Sequence, residues 1–384
     1  MVKMKQSPKN ILITSIVFFW FAQYVYIPFQ TPYLTSIHVS SQFIGIIVGT
    51  YGISQMLLRL PVGVLADSQN RHKQLIVIGC LSSGLASVFR TVLNNGIGFL
   101  IGNLFSGLSS AMWISFMVLY MSFYSANQQQ KATSQIIFAN NLGMLLGFIT
   151  STCLYDLVGM RIICVFSIIS GIISAFFALH LPKGGEMSES PKIGYLLQVC
   201  KQKQLIVFSI LALVQQGVQM STTMSFTNQI MKDLGGSTLV IGISSIIYML
   251  SAVIFAKFAS SDFSSKIGPK KWIPAIFTTT MLYCVFVPQC TQIYQLCLLQ
   301  VLPGMSTGIL FSYLTSEAMK YVPLEKKSTA MGFFQAIYAL GMTVFPMICG
   351  SILESYSMSY AYYFLAVICI VSIIISSVFY SKNS

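Results

Sequence analysis

Charge is the first thing this sequence lacks. Only nine of 384 residues are Asp or Glu and 22 are Lys or Arg, so 8% of the chain is charged, against about 25% in soluble domains. So few charges cannot cover a water-facing surface, which excludes a soluble fold. The three His and nine Cys show no C-x-x-C or H-x-x-x-H spacing, which leaves neither a metal site nor a disulfide framework. The cysteines read as small apolar fillers, and no cofactor is expected. A Gly-x-x-x-x-Gly-Lys-Ser/Thr run is also missing, which excludes a nucleotide-driven pump built from this chain alone.

What is present is apolar: 55% of the residues are hydrophobic and 13% aromatic. The runs are long and continuous instead of alternating every second residue, so the lipid-embedded elements are helices and not barrel strands. Spans fit at roughly 11–34, 41–64, 74–93, 98–121, 131–153, 161–181, 204–229, 238–260, 272–290, 293–316, 328–350 and 357–380. The fold class is therefore an all-α polytopic membrane protein with 12 transmembrane helices. The first apolar run is too long for a signal-peptide core and lacks a small-residue cleavage site, so span 1 is expected to stay attached.

Twelve crossings put both termini on one side. That side's loops and ends hold eighteen bases, from Lys3, Lys5 and Lys9 through Arg71 and Lys73 to Lys382, whereas the opposite loops hold Arg161 and Lys232. The asymmetry predicts cytoplasmic termini in the plasma membrane. It also accounts for most of the +13 net charge, spread over many short loops, so no nucleic-acid partner is called for.

The polar stretch Leu181-Pro-Lys-Gly-Gly-Glu-Met-Ser-Glu-Ser-Pro-Lys192 divides the chain into two six-helix bundles, 1–181 and 204–384, joined by a cytoplasmic linker at 182–203. The halves repeat. Asp67 matches Asp262 at an offset of 195, and Asn103-x-x-x-Gly107-x-Ser109 matches Gln300-x-x-x-Gly304-x-Ser306 at 197. Leu142-Gly143-Met144 matches Leu340-Gly341-Met342, and Asp156 matches Glu354, both at 198. Four landmarks with nearly one offset predict pseudo-symmetric halves with a site between them.

After span 2 the chain reads Gly63-Val-Leu65-Ala66-Asp67-Ser-Gln-Asn-Arg71-His-Lys73. This resembles the cytoplasmic loop signature of the major facilitator superfamily, Gly-x-Leu-Ala-Asp followed by Arg and a second base. Segments around Ser261-Asp262, Val322-Pro323 and Tyr155-Asp156 sit where that family places recurrent features, so the resemblance runs the length of the chain. It implies a transporter and not an enzyme. Gly63, Asp67, Arg71 and Asp262 form the expected conformational latch: Asp67 offers an anion to a neighbouring helix amino terminus and Arg71 pairs with it in one state.

Departures matter too. Drug/proton exchangers of this family usually place an Arg in helix 4 where this chain has Asn103, and their Gly-Pro signature in helix 5 is reduced to Gly143-Met-Leu-Leu-Gly147. The acids and histidines map to loops or span ends, so proton or other ion coupling, where present, would use groups such as Asp67 or Glu317. Arg59 and Arg90 lie inside spans, and both are long enough to snorkel to the interface; an anion-binding role for Arg90 is the alternative.

The family's cavity is lined mainly by helices 1, 4, 7 and 10, and those faces carry neutral polar residues. Gln23, Tyr26 and Gln30 share one side of helix 1, and Asn103, Ser106, Ser110 and Trp113 one side of helix 4. Gln215, Gln219 and Thr223 share a side of helix 7, and Gln300 and Thr307 of helix 10. The expected solute-contact set is Gln23, Tyr26, Gln30, Asn103, Trp113, Gln215, Gln219, Thr223, Gln300 and Tyr338, in a protein that moves a small polar or amphipathic organic solute and functions as a monomer. Small-residue spacings such as Gly45-x-x-x-Gly49 and Gly98-x-x-x-Gly102 read as close helix packing. The alternatives are a multidrug or metabolite exporter whose aromatics (Tyr24, Tyr51, Trp113, Phe226, Tyr248, Tyr338) admit apolar cations, a non-transporting receptor or scaffold, and a membrane-embedded transferase.

Overall fold

The computed structural model describes residues 7–69, 71–124, 129–182, 192–259, 261–323 and 326–382; the side chains of 129–134, 262 and 265 lie outside that description. The chain is helical throughout. In order it forms α1 (Pro8–Ser36), α2 (Ser41–Gln69), α3 (His72–Leu93) and α4 (Gly96–Ser122). A continuous stretch, Gln129–Leu179, follows, and then α7 (Lys203–Asp233), α8 (Thr238–Ala259), α9 (Pro269–Gln289), α10 (Ile293–Met319), α11 (Lys327–Ser355) and α12 (Met358–Lys382).

The 51-residue stretch Gln129–Leu179 would extend about 75 Å as one helix, more than twice a hydrocarbon core of about 30 Å. It turns at Gly159, whose φ of 72° and ψ of 173° are outside helical geometry and favour a residue without Cβ. The stretch therefore crosses twice, as α5 (129–158) and α6 (160–179), which makes twelve crossings. The sequence places spans 5 and 6 at 131–153 and 161–181, with Gly159 in the interval between them; the helix runs on to 158 before the break, and Asp156 is an exposed residue of its last turn. We refer to the face holding the described ends of α1 and α12 as the terminal face and to the other as the far face. Of the linker, residues 183–191 lie outside the described set, and the rest carries a short helix, Ile193–Leu197, and a 3-10 turn, Gln198–Lys201.

Within the first half α1 packs on the α5–α6 stretch, α3 on α4, and α2 on α4; within the second, α7 packs on α11, α8 on α10, and α9 on α12. Two antiparallel pairs join the halves, α2 with α11 and α5 with α8. The α2–α11 seam brings backbone against backbone. A Cβ on Gly52 would lie 2.6 Å from the Ala339 carbonyl oxygen, and one on Gly332 would lie 2.6 Å from that of Arg59. Small residues at such a seam are how apolar helices gain contact when lipid is as apolar as they are.

The two halves repeat contact for contact. Ser54 Oγ donates to the Leu104 carbonyl at 2.8 Å, and 197 residues later Ser251 Oγ donates to Val301 at 3.0 Å. Tyr51 and Ser110 hydroxyls meet at 2.7 Å; their counterparts Tyr248 and Thr307 meet at 2.9 Å. Asn103 Nδ2 donates to the Ile47 carbonyl, and Gln300 Nε2 to Ser244 Oγ. The doubling expected from sequence landmarks is thus a doubling of hydrogen bonds.

Three helices carry irregular turns at mid-depth. Pro28 has no N–H for the Tyr24 carbonyl, and α1 breaks at Val25 and Tyr26. A π turn occupies Thr222–Phe226 in α7, and another Ser306–Leu310 in α10. Such turns aim side chains away from the regular helical stripe and recur at functional sites.

Candidate functional site

A narrow pocket of about 20 Å³, room for little more than a water molecule, lies between the halves, lined by Gln23, Tyr24, Tyr26, Ile27 and Gln30 of α1, Val48 and Tyr51 of α2, Asn103 of α4, and Met220 and Met224 of α7. Four residues of the sequence-based contact set therefore meet at one cavity: Gln23, Tyr26, Gln30 and Asn103. The break in α1 sits beside it, and Met224 belongs to the π turn of α7.

Behind this wall lies Arg90. Its side chain is 1% exposed. Nη2 donates to Asn103 Oδ1 at 2.7 Å and to Ser106 Oγ at 2.8 Å, and Nη1 donates to Ser87 Oγ at 3.0 Å. The Tyr26 ring covers the guanidinium, with Cζ 3.9 Å from the ring centre. Nε has no partner. Gln23 Nε2 completes the cluster, donating to the Ser106 carbonyl at 3.0 Å and to Ser110 Oγ at 3.2 Å.

Snorkelling fails for Arg90 because space opens inward. A Cβ on Gly102 would lie 2.9 Å from both Arg90 Cγ and Nε, so the missing side chain of α4 makes the room that the arginine occupies. Gly102 serves a side chain here as well as helix packing. The cation missing from helix 4 in the sequence thus arrives beside Asn103 from α3.

Arg59 is also turned inward, 3% exposed, and donates to Gln335 Oε1 and the Tyr338 hydroxyl of α11. Tyr338 is therefore not at the pocket; it sits at the α2–α11 seam with Phe311 and Phe334 against its ring.

The remaining members of the set separate. Trp113 packs against Trp20 and Phe116, away from the pocket. Gln215 Nε2 donates to Gln219 Oε1 at 3.3 Å, and Gln219 Nε2 donates to the Tyr248 hydroxyl at 2.6 Å. With Thr307 this makes a polar chain from α7 through α8 to α10. Thr223 lies in the π turn and meets Thr222. Gln300 is fully buried between α8 and α10 on Ser244. Sequence reasoning missed Arg90 and Arg59 as members of interior clusters, and it missed Gln335. The available signal for Arg90 was Gly102 next to Asn103 on the facing helix.

The ends of the seam are bridged reciprocally. At the terminal face Asp67, near the end of α2, accepts from the backbone N–H of Thr329 at 2.8 Å and its hydroxyl at 2.7 Å, in the first turn of α11. At the far face Glu354, near the end of α11, accepts from the backbone N–H of Gln42 at 3.2 Å, in the first turn of α2. Each carboxylate meets the positive end of the other helix. Arg71, exposed at the start of α3, forms no ion pair with Asp67 in this structure, where the carboxylate makes the helix amino-terminus contact. A Cβ on Gly63 would lie 3.4 Å from Gly332 Cα, so its absence lets α11 come this close. The Asp262 side chain lies outside the described residues.

The far face is closed further between α1 and α7: Thr31 and Ser225 hydroxyls meet at 3.0 Å, Asn228 Nδ2 donates to the Pro28 carbonyl at 3.0 Å, and Lys232 Nζ to that of Pro32 at 2.7 Å. Glu317, buried near the terminal end of α10, accepts from the Tyr380 hydroxyl at 3.1 Å and pairs with Lys320 at 3.4 Å.

The model of the Major Facilitator Superfamily matches residues 12–229 and 210–384. An uncharacterised MFS-type transporter of Methanocaldococcus jannaschii is 23% identical over 362 residues, 91% of this chain and 92% of that one. Among solved structures, a variant of the nucleoside transporter NupG superposes with a TM-score of 0.75 at 15% identity, covering 96% of this chain and 99% of that one. The human organic anion transporter MFSD10 superposes with a TM-score of 0.69 at 13% identity, covering 97% and 100%. At these identities the two structures are similar in fold.

Proposed function

The chain belongs to the major facilitator superfamily and is a membrane transporter, not an enzyme; from that premise we propose that it moves a small polar or amphipathic organic solute by alternating access, as a facilitative or secondary active carrier. In this reading the terminal face is cytoplasmic, the membrane is the cell membrane, and one chain is the working unit. The observation that carries it is a mainly apolar pocket bearing Gln23, Gln30 and Asn103, set between two sets of separable closures: Asp67 on Thr329 at one face, and the α1–α7 contacts with Glu354 on Gln42 at the other. Each is a small number of hydrogen bonds worth about 0.5–3 kcal/mol apiece, which is the scale on which a solute's binding can shift a two-state equilibrium.

The orphaned amide oxygens support a polar cargo. Gln23 Oε1 and Gln30 Oε1 are buried at the pocket without partners, and a buried acceptor left unmade costs about 1–3 kcal/mol. A solute hydroxyl or N–H would satisfy them.

Hydrogen exchange tests alternation without knowing the cargo. In Asp67→Asn, peptides covering 327–332 are expected to exchange faster while those covering 28–36 and 225–233 become more protected. Changes confined to 327–332, with no reciprocal response at the far face, overturn alternating access.

A further inference from the structure

We propose that the solute carries a single negative charge on an amphipathic body, and that Arg90 is its anchor. The proposal deepens the transport reading above and rests on it. The geometry has three parts.

The first is an uncompensated cation. Arg90 is 1% exposed, its three acceptors Asn103, Ser106 and Ser87 are all neutral, and no carboxylate bonds to it among the described residues. Buried guanidinium groups are ordinarily paired, and this one keeps Nε unpartnered. A guanidinium is the side chain best matched to the two oxygens of a carboxylate or sulfonate.

The second is a removable cover. Tyr26 and Asn103 both touch Arg90 and both line the pocket. Tyr26 sits at the break in α1, where the helix lacks regular hydrogen bonding. Its hydroxyl meets Ser106 at a long 3.4 Å and also contacts Arg90 itself. Swinging the ring aside opens the guanidinium to the pocket, so an anion takes the place of the aromatic face.

The third is the composition of the wall. The pocket that Tyr26 and Asn103 line also carries the side chains of Ile27, Val48, Met220 and Met224 and the orphaned oxygens of Gln23 and Gln30. That combination fits an apolar or aromatic body with at least one hydroxyl or N–H donor. One cation at the pocket matches one negative charge, and the absence of an acid among the lining residues disfavours cationic cargo.

The test is thermal stability of the purified full-length protein in detergent. Probes are matched pairs of equal size: 4-hydroxybenzoate with 4-hydroxybenzamide, indole-3-acetate with indole-3-acetamide, and 3-hydroxybutyrate with its amide, with choline as the cation and sodium chloride alone as the inorganic arm. At least one carboxylate is expected to raise the melting temperature of the unmodified chain while its amide does not. That shift should vanish in Arg90→Met and shrink in Arg90→Lys.

Ligand-free Arg90→Met takes the donor from Asn103, Ser106 and Ser87 and should itself melt lower than the unmodified chain, so the readout is the ligand-induced shift within each variant; an undiminished shift in Arg90→Lys overturns the proposal. The proposal also falls if no carboxylate shifts the unmodified chain, if an amide or choline shifts it as much, if the shift survives in Arg90→Met, or if chloride alone reproduces it. Each of these leaves alternating access standing, since the hydrogen-exchange reciprocity of Asp67→Asn uses no anion.

Discussion

The two halves share a scaffold and differ in what they bury. Position for position, Tyr51 answers to Tyr248, Ser54 to Ser251, Asn103 to Gln300 and Ser110 to Thr307, and each pair makes the corresponding hydrogen bond. At the same offset of 197, however, Arg90 answers to Val287 and Gly102 to Leu299. The first half has traded a large α4 residue for a large α3 residue with a charge at its tip, while the second keeps both positions aliphatic. The doubled fold thus keeps these interhelical hydrogen bonds, which help hold helices together in lipid, while the Arg90 and Gly102 pair has no counterpart in the second half. Symmetric residues hold the bundles together; the asymmetric pair marks the specialised one.

The largest expected effect breaks this comparison from the aliphatic side. Val287 is fully buried, and Val287→Arg places a guanidinium where Leu299 leaves no glycine notch. An uncompensated buried charge costs about 3–5 kcal/mol, so the folded yield in detergent should collapse; a variant as stable as the unmodified chain would mean that both halves admit the cation equally.

Next comes Gly102→Leu, which fills the notch against Arg90 and should cost about 1–3 kcal/mol by overpacking, read as a lower melting temperature. Adding Arg90→Val makes the first half resemble the second, and the double variant should recover most of that loss. Failure to recover would sever the link between the two positions.

The smallest effect compares the shared tyrosines. Tyr248→Phe takes the acceptor from Gln219 Nε2 and the partner from Thr307, whereas after Tyr51→Phe Ser110 still receives the Gln23 amide. Both should lower stability by about 1 kcal/mol, with Tyr248→Phe the more costly, as urea titration of the two variants would resolve.

Much of the architecture was legible because hydropathy reports depth. All twelve apolar spans were separable in the sequence, including 131–153 and 161–181, which the structure joins in one helical stretch broken at Gly159. The latch was half legible: Asp67 meets a helix amino terminus as its position in the loop suggests, but partnership with Arg71 depended on a side-chain direction that spacing does not encode. The site was harder for the same reason. Gln23, Tyr26, Gln30 and Asn103 were found by helical period, since they share a stripe with the pocket. Arg90 stands one turn from a helix end, where reaching outward and reaching inward are equally compatible with the sequence, and a glycine on the neighbouring helix decides between them. Gln300 and Trp113 obey the stripe rule yet lie outside the pocket, because a stripe identifies an inward face without saying whether that face meets water or another helix.

The carboxylates at opposite ends of α2 and α11 have a further consequence. Two rods fastened to each other at top and bottom pivot only by letting go at one end, and the fastening that remains becomes the fulcrum. A carrier built this way has no need of a posture in which both ends are loose at once. In the proposed alternating-access cycle, small ions would therefore meet at least one shut door throughout, and the membrane's electrical insulation would survive every turnover.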